Sequence, residues 1–532
     1  MGFRRGPYPA GWSTADAEGR ATDDSPAKLY KPACYHLSVA YLLKSTYSSY
    51  ILPVTASYSC RSSSFHCFRD LVTHSDHLHS MSPHAITTLN TQDSIREELA
   101  SFSVTKNAFL PQERPSKHLK DPYYEPWELV AQHLPELIRE DRIRPAIDAL
   151  PVLSTERLRS EADWRRAYVI LGFLTHAYVW GGDHPSEVSH ARIFIVEACL
   201  LTFFQILPAQ ITVPFLTISS HLELPPVLTY AACVLWNFTS RKDDFSQIED
   251  LETLITFTGT ESESWFYLIS VAMEAKASRI IQTMMEALSS VKSRDYDAVT
   301  DSLIELKHCI QQVAAILDRM YERCDPMTFY HHIRPFLAGS KNMEASGLPR
   351  GVFYDEGDGN GAWRQLRGGS NGQSSLIQFF DVILGVEHHG HGSKAPSPSG
   401  EKSYHEEVRD YMPGPHSRFL THLARLGSIR ELAMTEPTCE EQVALRDAYT
   451  AATDALAEFR NRHIQIVTRY IILPSKQPWS GSTKKKNLAS ASSERAAGST
   501  QSPELTGTGG TMLVPFLKQA RDETSCAGRL QR

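Results

Sequence analysis

The chain has 532 residues, 42% of them hydrophobic, with a formal net charge of −7 and a sequence pI near 6.3. This length predicts two globular domains with extensions, and the acidic balance argues against nucleic acid or an anionic membrane surface as a partner. Nine cysteines without a C-x-x-C pair argue against a disulfide framework or a zinc ribbon and favour a reducing, cytoplasmic location.

The N-terminal residues 1–108 are rich in Ser, Thr, His and Tyr and show little sustained periodicity. We expect them to be mostly disordered, or in part an artefact of the gene model. No secretory signal is predicted, because no compact apolar run precedes a small-residue cleavage site. No membrane-spanning helix is predicted either, since no run of about 18 apolar residues occurs.

Helical periodicity begins near Tyr124. The stretch "EPWELVAQHLPELIRE" predicts two short helices, with Pro135 opening the second. The stretch "RRAYVILGFLTHAYVWGG" predicts a mostly apolar helix that ends at Gly181 and Gly182. Because alternating β-branched residues are scarce throughout the chain, the predicted fold class is all-α.

A seam of apolar residues at alternating spacings of four and three predicts a further amphipathic helix that needs a facing helix. Its members are Val299, Leu303, Leu306, Ile310, Val313, Leu317 and Met320. Packing inside a helical domain is the favoured interpretation. A coiled-coil dimer is the alternative, disfavoured because Asp325-Pro326 ends the helix, and the chain is expected to be a monomer.

Two later stretches carry candidate site residues. "DPMTFYHHIRPFLAG" places Phe329 and Arg334 on one helical segment, just before Pro335 perturbs it. "RGGSNGQSSLIQFFDVILG" combines a Gly/Ser turn from Gly368 with a helix that contains Asp381.

Several common catalytic motifs are missing from the chain. No G-x-x-x-x-G-K-[ST], no H-E-x-x-H and no G-x-S-x-G is present. The pair His331–His332 and the tract "EHHGHGSK" suggest metal binding, but the tract has loop composition and no carboxylate at a ligand spacing. A metal site built on them is therefore disfavoured.

The stretch "ALAEFRNRHIQIVTRYIILP" predicts a helix with a histidine, His463, in the middle of its buried stripe. The apolar members of that stripe are Leu456, Phe459, Ile466, Val467 and Tyr470. The imidazole either hydrogen-bonds a backbone carbonyl inside the core or serves as a metal or haem ligand. Arg460 lies one turn before it.

Residues 475–507 are polar and rich in Ser, Ala and Lys, which predicts a flexible loop. The loop leads into "TGTGGT", and "MLVPFLKQARDE" then resumes an amphipathic helix. A mobile cover for an active site and a tolerated surface insertion both agree with this composition.

Taken together, these stretches resemble the indoleamine 2,3-dioxygenase family, in that family's order from about residue 109 to 523. The resemblance is carried by "LELPPVLTYAACVLWNF", "FYHHIRPFLAG", "GGSNGQSSLIQFFDVILG", "RDYMPGPHSRFL", "LRDAYTAATDALAEFRNRHIQIVTRYI" and "GTGGTMLVPFLK". It implies a fungal-type member with a small helical domain, 109–257, and a large haem-binding helical domain, 258–532, whose loop 475–507 covers the active site.

The activity implied is oxidation of L-tryptophan by O2 to N-formyl-L-kynurenine, the first step of the kynurenine pathway and of de novo NAD synthesis. The cofactor implied is haem b, active as ferrous iron and kept so by a reductant. O2 is added across the indole C2–C3 bond, no side chain is needed as a general base, and the protein's part is positioning and exclusion of water.

The resemblance also implies roles for single residues. His463 stands where the family has its proximal haem iron ligand, which leaves the opposite haem face open to O2. Arg460 is expected near a haem propionate with Asp381 beside it, although an ordinary interhelical ion pair remains the alternative for these two.

On the opposite haem face, the resemblance makes Phe329 a packing partner of the substrate indole and Arg334 the partner of its carboxylate. The remaining matches are Tyr230, Cys233, Phe266 and Ser270 in the indole pocket, Gly369 and Ser370 in the turn over the haem, and Thr508 in the closing loop.

Three features depart from the family pattern. Tyr330 stands where vertebrate members have phenylalanine, and Asn371 where they have alanine. Residues 188–205 interrupt the pattern, and we interpret them as translated intron sequence, with a helical insertion as the alternative.

Two alternative functions remain. One is a haem-binding homologue with little activity, acting as a sensor or signalling protein, and the other is a haem-free helical scaffold.

Overall fold

The computed structural model describes residues 83–182, 205–344, 348–389, 404–477 and 513–529, with the backbone alone for 83–91. All of them belong to one compact unit, Leu78–Arg532. The described residues are mainly helical, which confirms the predicted fold class. None of their helices is both long enough and apolar enough to pass through a bilayer.

The first part of the described chain forms six helices, of which the fifth is buried. They are α1 (Pro83–Ser101), α2 (Glu125–Gln132), α3 (Leu134–Arg139), α4 (Ile143–Asp148), α5 (Glu161–Trp180) and α6 (Ala209–His221). In α5 every residue from Arg166 to Trp180 is buried, as expected of a helix that is apolar all round. Ser160 and Asp163 cap its start reciprocally, and Gly181 follows its end.

The middle of the chain forms α7 (Glu261–Lys276), α8 (Ser278–Ser293), α9 (Tyr296–Asp318), α10 (Met320–Arg323), α11 (Pro326–Thr328) and α12 (Arg334–Leu337). The apolar seam lies on α9, and its residues from Val299 to Leu317 are buried. This helix packs against α7, α8 and the long helix α17 (Glu440–Val467). The prediction that the seam packs inside the protein is confirmed.

The remaining helices are α13 (Ser375–Ile383), α14 (Tyr404–Arg409), α15 (Gly414–Leu426), α16 (Ile429–Ala433) and α18 (Leu513–Ala527). Helix α17 carries His463 and lies between α9 and α18. Its buried stripe includes Leu456, Phe459 and Ile466, as the periodicity predicted.

Two small sheets accompany the helices and were not predicted. Strands β1 (Ile206–Leu207), β4 (Val352–Gly357) and β5 (Asn360–Arg364) form one sheet in the order β1-β4-β5, while β2 (Phe238–Ser240) pairs antiparallel with β3 (Leu251–Thr253). The β4–β5 turn has positive φ at Gly357, Asp358 and Gly359, so "EGDGN" was a hairpin signal. The other strands have two or three residues, too few for a visible alternation.

Some sequence predictions fall on residues that the structure leaves undescribed. These are residues 1–82, residues 188–204 of the inserted segment, residues 478–507 of the loop and Thr508. Within 1–108, helix α1 contributes Ile95 and Leu99 to the core. Gln205, the last residue of the inserted segment, is buried and accepts a hydrogen bond from the Phe353 backbone.

Candidate active site

His463 on α17 faces a cavity. The residue is half-buried and lines two adjoining cavities. Burial, followed by the nearby charge of Arg460, lowers the pKa of His463 to about 4, so the imidazole is neutral at physiological pH. Within the described part of the chain neither ring nitrogen has a hydrogen-bond partner. The hydrogen bond to a backbone carbonyl considered above is therefore not formed with any described residue.

The residues that the family pattern assigns to the substrate lie around the same cavity. Its wall includes Tyr230, Cys233, Phe266, Ser270, Phe329, Arg334, Gly369, Ser370 and His463. The unfilled space is about 1240 Å³ out to the mouth, and an adjoining cavity of about 880 Å³ shares His463 with it.

Aromatic rings and one guanidinium give this cavity its chemical character. The ring centroids of Phe266 and Phe329 are 4.9 Å apart, and Phe329 meets Tyr470 edge-on at 5.8 Å. The Arg334 guanidinium lies 5.6 Å from the centroid of the Tyr330 ring. Burial lowers the pKa of Arg334, but an arginine stays charged. A planar aromatic molecule with an anionic group suits such a wall.

Three π-helical turns contribute to the cavity wall. They span Ala231–Leu235, Phe329–Ile333 and Thr468–Ile472. Each contains at least one lining residue, namely Cys233, Phe329 and Tyr470. A turn of this kind holds one extra residue and is found frequently at functional sites. The second turn runs into Pro335, which cannot donate a regular helical hydrogen bond.

The Gly/Ser turn that begins at Gly368 is held against the pocket by Gln373. A Cβ on Gly368 would lie 1.9 Å from the Leu337 carbonyl oxygen, so only glycine fits there. The Gln373 side chain donates to the Gly368 carbonyl at 2.8 Å and accepts from the Tyr230 backbone N–H at 2.9 Å. Sequence analysis missed Gln373, because its two partners are set by tertiary packing.

Glu274 on α7 is a second residue that sequence analysis missed. Its Oε1 accepts hydrogen bonds from the Tyr230 hydroxyl at 3.0 Å and from Ser374 at 2.7 Å. Its Oε2 has no partner among the described residues. Burial raises the pKa of Glu274 to about 7. A glutamate inside the otherwise apolar stretch of α7 was the available signal.

A buried ion pair lines the adjoining cavity. Arg460 donates to both oxygens of Asp381 at 2.8 Å, and both side chains are buried. Burial alone would raise the pKa of Asp381, but the charges of Arg460 and His388 hold it well below its ordinary value. The structure thus brings the predicted pair together. It also adds His388, from the histidine tract, which lies between Asp381 and Glu523.

Two kinds of ligand fit this arrangement. A neutral imidazole without a hydrogen-bond partner can coordinate a metal, and a buried guanidinium in the adjoining cavity can meet an anionic substituent of the group that carries the metal. Arg334 and the aromatic rings can hold an aromatic anion on the other side. Of the predicted site residues, only Thr508 lies outside the described residues.

Comparisons with known proteins agree with this geometry. The family model for indoleamine 2,3-dioxygenase matches residues 98–527. The chain is 39% identical over 434 residues to indoleamine 2,3-dioxygenase of Saccharomyces cerevisiae, covering 79% of this chain and 90% of that protein. It is 36% identical over 447 residues to indoleamine 2,3-dioxygenase nanC of Aspergillus nanangensis, covering 82% and 98%. It is also 36% identical over 433 residues to 6-hydroxytryptophan 2,3-dioxygenase fscD of Fusarium equiseti, covering 81% and 98%.

Proposed function

The chain belongs to the indoleamine 2,3-dioxygenase family, and from this we propose that it converts L-tryptophan and O2 to N-formyl-L-kynurenine with haem b as cofactor. The product is the entry compound of the kynurenine pathway, and thereby of de novo NAD synthesis. The observation that carries the proposal is the neutral, unpartnered imidazole of His463 in the wall of the cavity that Arg334 and the aromatic rings also line.

The residues on the His463 side fit a haem. The His463 imidazole has no hydrogen-bond partner among the described residues, and coordination of the haem iron would give it one. His463 would hold the iron, and Arg460, fixed by Asp381, would face a propionate. When bound, haem would supply the iron chemistry that activates O2.

The residues on the opposite side would bind and orient the substrate. The Arg334 guanidinium would pair with the tryptophan carboxylate, and Phe329 and Phe266 would pack on the indole. The turn at Gly369 and Ser370 would close the pocket and exclude water. Positioning of this kind can supply a large share of a rate enhancement, because reacting groups no longer have to find each other in solution.

Purified full-length protein tests the proposal. We expect a Soret band and, on addition of L-tryptophan, O2 and a reductant, the absorbance of N-formyl-L-kynurenine. A Soret band without product from L-tryptophan or 6-hydroxytryptophan would overturn the enzymatic function in favour of a haem-binding sensor. Absence of the Soret band after reconstitution with haem would overturn the cofactor as well and favour a helical scaffold.

Several sequence predictions extend this proposal. They are the division into domains 109–257 and 258–532, the cover formed by residues 475–507 with Thr508, a monomeric state and a cytoplasmic location. Of these, the chemistry proposed above needs only a cover that keeps water out of the pocket.

A further inference from the structure

His388 lies between two carboxylates that come from different helices. Its Nε2 is 3.2 Å from Asp381 Oδ2, on α13, and its Nδ1 is 2.7 Å from Glu523 Oε2, on α18. The side chain is only 7% exposed. Each ring nitrogen faces a carboxylate oxygen, so His388 has no free nitrogen lone pair to coordinate a metal. The ring instead bridges the two carboxylates.

Every element packed around this bridge contributes a charged or titratable group. Helix α13 contributes Asp381, α17 contributes Arg460, and α18 contributes Glu523. Helix α14 contributes His405, whose ring stacks on His388 at 3.6 Å, and Arg409, whose charge interacts with both Asp381 and Glu406. Arg460 balances Asp381, so a positive charge on His388 would balance Glu523. The charges of the cluster therefore favour a protonated His388.

The directions of the pKa shifts agree with this geometry. Burial alone would lower the pKa of His388, but the charge of Asp381 and the hydrogen bonds to Asp381 and Glu523 raise it above its ordinary value. The pKa of Glu523 is lowered by its hydrogen bond from His388, against the effect of burial. Burial and the positive His388 lower the pKa of His405 to about 3, so His405 stays neutral.

Helix α18, which the bridge fastens, is itself a wall of both cavities. Leu513, Phe516 and Leu517 line the cavity with Arg334, and Phe516, Leu517 and Ala520 line the one with Arg460. Two contacts with uncharged donors accompany the bridge: His389 N–H donates to Glu523 Oε1 at 3.1 Å, and Gln519 donates to the His389 carbonyl at 2.9 Å. The donors of these two contacts do not titrate near neutral pH, so of the three contacts only the bridge changes its protonation there.

We propose that His388 is a positioning residue that, as a protonated bridge between Asp381 and Glu523, fastens α18 over the haem cavity and so slows the loss of haem. The proposal rests on the proposed function in taking haem as the cofactor. When pH rises through the pKa of His388, the ring keeps one proton and can donate to only one of the two carboxylates. The other contact is lost, the two negative charges face a neutral ring, and α18 is held less firmly.

The experiment measures the rate of haem transfer from the loaded full-length protein to excess apomyoglobin, between about pH 6 and about pH 9. We expect the wild type to lose haem slowly at the acidic end and about tenfold faster at the alkaline end, as the loss of one charge-assisted hydrogen bond implies. His388→Gln should lose haem at the faster rate at every pH. Glu523→Gln should shift the wild-type transition to lower pH, because it removes one of the charges that hold the proton.

His389→Gln is the matched control, because this neighbouring side chain is exposed and only its backbone contacts Glu523. It should keep the wild-type pH profile. A wild-type profile in His388→Gln would overturn the proposal. Equal effects of His388→Gln and His389→Gln would overturn it as well.

Hydrogen exchange of the α18 amides in haem-free protein gives a second readout. Protection should fall with rising pH in the wild type, and should be low at all pH in His388→Gln. If the wild type bound no haem but showed this exchange pattern, the proposed function would be wrong while the bridge would stand. If α18 protection were independent of pH in the wild type, the bridge itself would be wrong.

Discussion

Two groups of polar residues around the cavities differ in whether they have partners within the protein. In the first group, Asp381, Arg460, His388 and Glu523 all have partners within the protein. By contrast, His463 has no hydrogen-bond partner and Glu274 has one oxygen without a partner, among the described residues. Buried polar groups are nearly always partnered, so unpaired groups indicate where a ligand completes the structure and paired groups where the protein holds itself together. Substitutions in the two groups should therefore have different effects on the protein.

The largest effect is expected at His463. His463→Ala should abolish stable haem binding while the helices persist, because the imidazole is the only proposed bond from the protein to the iron. The Soret band and the far-ultraviolet circular dichroism of the purified variant measure the two properties separately. His308→Ala, an exposed histidine on α9, is the control. An undiminished Soret band with an unshifted maximum in His463→Ala would show that His463 is not the ligand.

In the group whose members have partners, Asp381→Asn should instead destabilise the fold. Arg460 is 7% exposed and would lose its counter-charge, and removal of one partner from a buried pair typically costs about 3–5 kcal/mol. Urea unfolding of the haem-free protein measures the loss, with Asp454→Asn, an exposed position on α17, as the control. Equal stability of the two variants would mean that the ion pair carries little of the free energy of unfolding.

Arg334→Ala tests the substrate side without touching the haem side. Loss of one partner of a desolvated charge pair costs about 2–5 kcal/mol, so kcat/KM for L-tryptophan should fall by about thirty- to several-thousand-fold. Haem content should stay unchanged. Tryptamine, which lacks the carboxylate, should be a poor substrate of the wild type and should lose much less on mutation. Equal losses for both substrates, or loss of haem, would make Arg334 a structural residue.

The smallest effect concerns Glu274 and depends on pH. Its pKa rises from 4.5 in the unfolded chain to about 7 in the fold, so the native state keeps a proton that the unfolded state releases. Stability should therefore fall as pH rises from about 4.5 to about 7, by up to about 3 kcal/mol. Glu274→Gln, which cannot ionise, should gain stability relative to the wild type above neutral pH but not below pH 4.5.

Urea unfolding of the haem-free protein at an acidic and an alkaline pH measures this difference. Glu252→Gln, at an exposed position on β3, should track the wild type at both values. A constant difference between Glu274→Gln and the wild type at the two pH values would contradict a neutral carboxyl in the fold.

Sequence reasoning predicted the helices well because their signals are local. The stripe around His463, the capped end of α5 at Gly181 and the seam on α9 can each be seen within a few turns of chain. The resemblance then supplied Arg334, Phe329 and the Asp381–Arg460 pair. Periodicity identifies the buried face of a helix but not the helix that packs against it.

The residues that were missed all depend on contacts between distant parts of the chain. Glu274 meets Ser374 across 100 residues, and His388 meets Glu523 across 135. His388 belongs to a tract whose composition predicted a loop, and its burial depends on α14 and α18 packing over it. No local pattern could have shown that its two ring nitrogens face carboxylates.

The three π-helical turns around the cavity have a consequence for how the site can change. Two of them continue a helix: the turn Phe329–Ile333 lies between α11 and α12, and the turn Thr468–Ile472 follows α17 directly. Each of these two is in effect a single-residue insertion into a helix, and removal of that residue would rotate everything that follows by about 100° about the helix axis. Phe329 and Tyr470 lie in these two turns. Deletion of one codon at such a turn would change the direction of several lining side chains in one genetic step. Point substitutions would have to replace those side chains one at a time. The shape of the cavity is thus open to change by length variation inside helices, and an alignment forced to be free of gaps at these turns would hide it.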